Sequence, residues 1–300
     1  MSFSNALPAS SPSGTASDGR EGATSLPAGP SPAERARRLM RACDRAALAT
    51  AQRTADGPAD VDSPADAAGW PYPSLVLVAL DQDGSPLLLL STLADHTRNL
   101  LADDRVGLLF DGTAGLERPL TGARLSVLGR ATRSDDPAHR ARYLRRHPDA
   151  ALYAGFADFA IYRVSVERAH LVAGFGRIHW LSAAELDFPG AAPALAAAEA
   201  DLIGRLNAEG YGSRLAPSAN GAADGWSVTG VDPEGCDLRR GGYVARVDFE
   251  QRIQDPESAK LALHLLAGPQ DGSGPTGDAT SGIATAGETE GPDGPRHQGR

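Results

Sequence analysis

Leu87-Leu-Leu-Leu-Ser-Thr-Leu-Ala-Asp-His-Thr-Arg-Asn-Leu100 is an apolar run that stops in a cluster of polar side chains. Four consecutive leucines suit a strand buried on both faces. Ser91, Thr92, His96, Thr97, Arg98 and Asn99 then put hydroxyl, imidazole, guanidinium and amide groups at the strand's exit. If Asp95 caps a helix from about His96 to Ala102, the free N–H groups of its first turn add a positive end to the same place. Arg98 can then grip a phosphate through two parallel hydrogen bonds. The competing explanation is a strand end, a turn and a surface helix whose polar residues are solvated, because helix N-termini recruit Ser, Thr, Asp and Asn for capping alone.

On either side, short apolar segments alternate with turn residues. Pro32 opens a helix carrying Ala36, Leu39, Met40 and Cys43 at helical spacing, ending near Arg45. Strands are expected at Ala46–Ala51, Ser74–Leu80, Arg105–Phe110 and Arg124–Ala131, with Asp83-Gly84 turning the second of these into the leucine strand. Arg53 to Gly69 reads as a long loop. Asp136-Pro137 starts a helix to about Arg146. Phe159–Val166 puts Ala160, Tyr162, Val164 and Val166 on one face, and Ala169–Ala173 is expected to return beside it. Six or seven strands without the ten-residue helices that parallel crossovers demand point to an antiparallel barrel with short helices.

Gly174-Phe-Gly-Arg-Ile-His-Trp-Leu181 is the second segment of chemical interest. Its glycines let backbone approach a ligand, and Arg177, His179 and Trp180 bring charge, imidazole and indole towards one place, which suits a flat aromatic ligand. The structural alternative is a glycine-shaped bulge with Trp180 in the core and His179 satisfied internally. Ser182-Ala-Ala-Glu185 has the form of a capping box. Pro, Gly and Ala at 188–194 make a linker. Leu195, Ala198, Leu202, Ile203 and Leu206 then form a helical stripe, Trp226–Val231 and Tyr243–Phe249 a hairpin around Asp232-Pro-Glu-Gly235, and Asp255-Pro256 a last helix ended by Gly268. Asp232, Asp237 and Arg239 read as turn and surface residues.

The organisation expected is α+β: a disordered tail at 1–32, a barrel domain at 33–187, the linker, a small α+β domain at 195–267 and a second disordered tail at 268–300, both tails being rich in Ser, Pro, Gly and Ala. A net charge of −9 argues against nucleic acid as a partner. No apolar stretch is long enough to span a bilayer. Arg37-Arg38 lacks the apolar segment of an export signal, so the expected compartment is the cytoplasm. Cys43 and Cys236 stand far apart and form no metal or redox pair, reading as buried or half-buried spectator thiols. The only lysine is Lys260, which leaves phosphate binding to arginine and Schiff-base chemistry with almost no candidate.

Ala47-Leu-Ala-Thr50, Pro71-Tyr-Pro-Ser74, Leu90-Ser-Thr-Leu-Ala-Asp-His-Thr-Arg-Asn-Leu100, Arg145-Arg-His-Pro148, Asp158-Phe159 and Gly174-Phe-Gly176 occur in the order of the HugZ-type haem-utilisation proteins. The chain resembles that family, within the pyridoxamine 5′-phosphate oxidase-like, FMN-binding split-barrel superfamily, over residues 33–187. Its C-terminal part looks like the small α+β domain often appended to such barrels. The resemblance implies a six-stranded split barrel that forms a homodimer, with ligands between subunits. It implies FMN with its phosphate at Ser91, Thr92, Thr97 and Arg98, and Ser74 on the adjoining strand. Arg177 and His179 resemble the substrate-side pair of the oxidases. The oxidases' lysine-bearing phosphate signature is absent here, which sets pyridoxamine phosphate aside as substrate.

Two functions from different classes follow. One is an FMN-dependent oxidoreductase in which Ser91, Thr92, His96, Thr97, Arg98 and Asn99 fix the phosphate while Arg177 and Trp180 border the ring. The alternative is a haem-binding or haem-degrading protein, with His179 on the iron and a carboxylate such as Asp158 orienting its other nitrogen, or the same tetrapyrrole site in a carrier or regulator without turnover.

Overall fold

In a computed structural model, residues 29–53, 68–174, 176–190, 192–216 and 224–268 are described. Nearly all of both expected tails and most of the Arg53–Gly69 loop lie outside these residues, as does Phe175.

Helix α1 (Pro32–Ala42) begins where the proline predicts, with Ser31 accepting the Glu34 N–H at 3.1 Å as its cap. Then come β1 (Arg45–Ala51), β2 (Pro71–Leu77), β3 (Ala79–Leu80), β4 (Pro86–Ser91), α2 (Asp95–Ala102), β5 (Arg105–Asp111), β6 (Ala123–Ser134), α3 (Pro137–Arg146), β7 (Phe159–Ala173) and β8 (Ile178–Ser182). All eight strands join one curled antiparallel sheet in the order β2-β1-β5-β6-β7-β4-β3, with β8 added beside β7. The sheet curls until β2 and β4 approach without pairing, and this seam is the split of the barrel.

The count exceeds the six strands expected, for identifiable reasons. The Ser74–Leu80 segment breaks at Val78, whose N–H leaves the ladder for the Asp44 carbonyl at 2.9 Å. The anticipated pair at Phe159–Val166 and Ala169–Ala173 is one continuous strand. Leu128 pairs with Arg168 and Gly129 with Val166, so Glu167 is an extra residue, a bulge that flips the alternation. Core residues on β7 are therefore Ala160, Tyr162 and Val164 before the bulge and Ala169 and Leu171 after it.

The leucine run behaves as its composition demands. Leu88 and Leu90 face the barrel interior, while Leu87 and Leu89 face a second cluster with Tyr143, Ala150, Ala154 and Ile161 beneath α3. Burial of both faces removes the period-2 signal.

The Ser182–Glu185 capping box forms and starts the short helix α4 (Ala183–Leu186). Beyond it lie α5 (Pro193–Ala208), α6 (Tyr211–Leu215), a three-stranded antiparallel sheet of β9 (Ser227–Asp232), β10 (Gly235–Arg240) and β11 (Tyr243–Asp248), and α7 (Pro256–Ala267). The hairpin expected here is thus three strands: β10, with Cys236 and Leu238 fully buried, was hidden between two turn signals. Tyr243, expected on the inner face, is 63% exposed.

Asp232, Asp237 and Arg239 are not surface turn residues. Asp232 has no exposed surface and takes Arg41 at 2.9 Å and Arg246 at 2.8 Å. Asp237 pairs with Arg246 at 2.8 Å, and Arg239 donates to the Arg146 carbonyl at 3.2 Å. Burial opposes ionisation of Asp232, but Arg246 and Arg41 outweigh it and hold the carboxyl well below its ordinary range.

Candidate functional site

Helix α2 packs against β1 and β2, and its orientation decides what the polar cluster can do. Its cap is Ala94, which offers no side-chain bond; Asp95 is the first helical residue rather than the cap. Asp95 instead lies 3.5 Å from Arg98, one turn on, on the exposed face. Thr97, Asn99 and Leu100 point inward. Asn99 donates to the Thr50 hydroxyl at 3.1 Å and accepts the Arg53 N–H at 3.1 Å, tying the helix to the end of β1. Thr97 is fully buried and its hydroxyl has no partner. Ser91 donates to Asp158 at 2.5 Å and accepts the Leu93 N–H at 3.1 Å, while Thr92 stays exposed with its N–H on the Asp158 carbonyl. The expected donors thus share one strand exit without converging. Helical rotation turns Thr97 and Asn99 away from Arg98, and the Asp158 carboxylate stands beside Ser91, where an anion would be repelled.

His96 is differently placed. Its Nδ1 is 3.1 Å from the Ser74 hydroxyl on β2, and its Nε2 has no hydrogen-bond partner among the described residues. Burial holds its pKa below the ordinary value against the opposing pull of Asp95, so the ring is neutral at pH 7. It lines a cleft of about 340 Å³ along the β2–β4 seam, with Leu75, Leu77 and Leu89 on the strands, Ser91 and Ala94 at the mouth, and Tyr143, Tyr153 and Phe159 forming an aromatic wall. Tyr153 and Phe159 pack with centroids 5.0 Å apart. A neutral imidazole with one nitrogen fixed by a hydroxyl and the other open to an aromatic-lined hollow has the character of a metal-ligating histidine.

Arg177, His179 and Trp180 do not meet. Strand alternation sends His179, opposite the core residue Leu171, to one face of β8 and Trp180, opposite His170, to the other. Trp180 is 57% exposed, stacked on His170 at 4.5 Å with Arg168 over its ring at 5.1 Å. Arg177 precedes the strand and is exposed. The core position offered for Trp180 is likewise not what the fold uses.

The aromatic wall was not read from the sequence as a site. Tyr143 shares α3 with four arginines and carried only an element signal, and Phe159, which opens β7, entered only as part of the Asp158-Phe159 motif with no site role. The proximity of these residues to His96 depends on sheet curvature. Among the described residues no group of three or more His, Cys, Asp or Glu is placed to hold a metal ion by itself, and no helix is long and apolar enough to cross a membrane.

With this geometry in hand, comparison with known proteins is informative. Over 109 residues the chain is 38% identical to the non-canonical heme oxygenase HOZ, chloroplastic, of Arabidopsis thaliana; the match takes in 35% of this chain and 33% of that protein, so the chain spans about a third of this curated relative. The Agrobacterium tumefaciens protein Atu2129, of unknown function, superposes with a TM-score of 0.62 at 29% identity, covering 77% of this chain and 93% of the other. A heme binding protein from Mycobacterium smegmatis aligns with a TM-score of 0.46 at 27% identity, over 80% of this chain and 97% of that one. A family model described as CREG, beta-barrel matches residues 28–186, more than half of the chain and all eight strands of the curled sheet. In keeping with the split-barrel kinship read from Leu90–Leu100, the chain belongs to the CREG β-barrel family.

Proposed function

We propose that this protein binds haem at the seam of its split barrel and takes part in haem breakdown, with His96 rather than His179 as the iron-facing histidine. The observation that carries the reading is His96 itself: neutral, held at Nδ1 by Ser74, open at Nε2 and set beside Tyr153 and Phe159. The 38% identity to a heme oxygenase supports the same ligand class.

The residues present fit the group. The aromatic and leucine side chains offer an apolar bed, and the partly exposed Arg98, two residues after His96 and 3.5 Å from Asp95, is the arginine of α2 that would pair with a propionate. Bound haem would supply the redox chemistry through its iron, while the protein binds, orients and shields it. Ser74 sets the tautomer and angle of His96. Asp158, half-buried, accepts from Ser91, which lines the cleft, and is the carboxylate next to it able to hold or pass a proton. The flavin reading has weaker support, because the phosphate donors expected at Ser91, Thr97 and Asn99 are engaged or turned inward.

A volume of about 340 Å³ lies near the lower end of the ~300–1,000 Å³ of small-molecule sites, and a second copy of the chain would enlarge it. The outer sheet face supports such a homodimer. Leu75, Ala47, Leu109, Ser126, His170 and Trp180 align in register across six strands, and Leu75 also lines the cleft. Both cysteines are free thiols, which suits a reducing compartment such as the cytoplasm. Incubation with haemin or FMN followed by desalting tests the reading: haemin should stay with the protein and FMN should wash away. Retained FMN with no retained haemin would overturn it.

A further inference from the structure

Helix α3 carries two different surfaces. One bears Tyr143, 2% exposed, packed on Leu87, Leu89 and Ile161 and forming part of the cleft wall. The other bears Arg142, Arg145 and Arg146, each of which reaches a carboxylate of the C-terminal elements, Arg146 while also donating to the Arg41 and Cys43 carbonyls at the end of α1. Arg142 donates to Glu199 of α5, Arg145 reaches the other oxygen of the same carboxylate at 2.7 Å, and Arg146 stands 3.6 Å from Asp237 of β10. Arg142 also lies 3.8 Å from Asp232 and hydrogen-bonds the Leu80 carbonyl, so it spans both sheets. Glu199, only 4% exposed, accepts the Val231 N–H at 3.1 Å as well.

This is an unusual way to join two units. Buried ion pairs give little net stability over apolar contacts of similar shape, yet breaking one partner is costly and their geometry is strict. A greasy interface would let α3 slide; a carboxylate gripping two arginines one turn apart on α3 fixes both its rotation and its axial position. Directly after α3, His147 donates its Nε2–H to the Val78 carbonyl, 2.9 Å away, and packs at a tilt against Tyr143 with centroids 4.8 Å apart. The chain then runs through Pro148–Leu152 to Tyr153 and Phe159, the rest of the aromatic wall.

We infer that the C-terminal unit serves as a positioning element for the cleft: Glu199, through Arg142 and Arg145, sets the placement of α3 and hence of Tyr143, Tyr153 and Phe159. The ligand assigned to the cleft rests on the function proposed above; the mechanical coupling does not. It gives the appended unit a role without requiring it to touch the ligand. Anything that loosened α5 from α3 would be felt as a change in ligand affinity.

The test uses the full chain bearing Glu199→Gln, which keeps the side-chain shape but not the charge, with Glu199→Asp as the charge-retaining comparison. Hydrogen–deuterium exchange without ligand should accelerate by about ten-fold or more across 137–159 in Glu199→Gln, with β5 and β6 unchanged. Haemin affinity should fall about five-fold or more, and Glu199→Asp should recover part of both effects. Should Glu199→Gln fail to fold, Arg145→Gln removes a single arm at a partly exposed position and should give a smaller change of the same pattern. Faster exchange confined to α5 and β9 in a folded variant, with 137–159 untouched, would overturn the coupling. If wild-type protein retains no haemin, the proposed ligand fails, and the exchange pattern alone decides the coupling.

Discussion

His96 divides its two nitrogens between Ser74 and the cleft, and that division rests on burial keeping the ring uncharged. The same physics acts more strongly at His147, where burial drives the pKa down to about 4 despite the Val78 carbonyl beside it. A histidine titrating near 6.5 when unfolded and near 4 when folded binds more protons in the unfolded state throughout that interval. Stability is therefore expected to decline as pH falls from about 6.5 towards 4, with a limiting slope of about 1.4 kcal/mol per unit from this residue. Asp232 has the opposite chemistry and a similar consequence: its depressed folded value contributes stability above the ordinary carboxylate range, lost at still lower pH. Urea midpoints measured from pH 7 to 4 check this; a His147→Gln variant should flatten the upper part of the profile, and an unchanged slope would contradict the assignment. The two histidines looked alike in the sequence, because a residue type does not reveal what surrounds it.

Among the elements, β7 shows most clearly what sequence patterning can and cannot convey. Its two apolar alternations were visible and both proved inward-facing, but the parity change between Val164 and Ala169 was read as a chain reversal when it is a single bulge residue, Glu167. Across from it, Gly129 sits so close to β7 that a Cβ would lie 2.3 Å from the Ser165 carbonyl oxygen. Gly129→Ala is therefore expected to lower stability by about 2–4 kcal/mol in chemical denaturation, through forced separation of β6 and β7. A loss below about 0.5 kcal/mol, the scale of an ordinary surface change, would mean the strands part easily there. Helices α1, α3 and α7 and the capping box at Ser182 were legible because Pro, Asp and Ser act locally at helix starts. β10 was not, since Asp232-Pro-Glu-Gly235 and Gly241-Gly242 bracket so short a segment that turn signals dominated it. The strand exit at Ser91–Asn99 reads as an anion cradle from its residue types alone, whereas the rotation of α2 that turns Thr97 and Asn99 inward depends on its packing against β1.

At the scale of the whole molecule, three features converge on one place: the seam where the sheet fails to close, the α3 helix held by arginines to the C-terminal elements, and an outer sheet face lined in register with apolar and aromatic side chains. The residue pattern by itself shows none of them, because each arises from the pairing of distant segments; the split barrel and the dimer come only as implications of the family resemblance, and Arg145 and Arg146 only as part of one of its motifs. If the outer face receives a second copy, Leu109→Glu, which puts a charge at 42% exposure in the middle of the row, should convert a dimer into a folded monomer by light scattering and weaken haemin retention with it. A variant that stays dimeric would place the interface elsewhere.

The most direct measurement is the Soret-region absorption spectrum of haemin-loaded His96→Ala beside the wild type. Loss or a marked shift of the wild-type band in His96→Ala, with the band intact in His179→Ala, is the result expected. A haemin-loaded His96→Ala protein whose spectrum matches the wild type would contradict the assignment of the seam as the haem site.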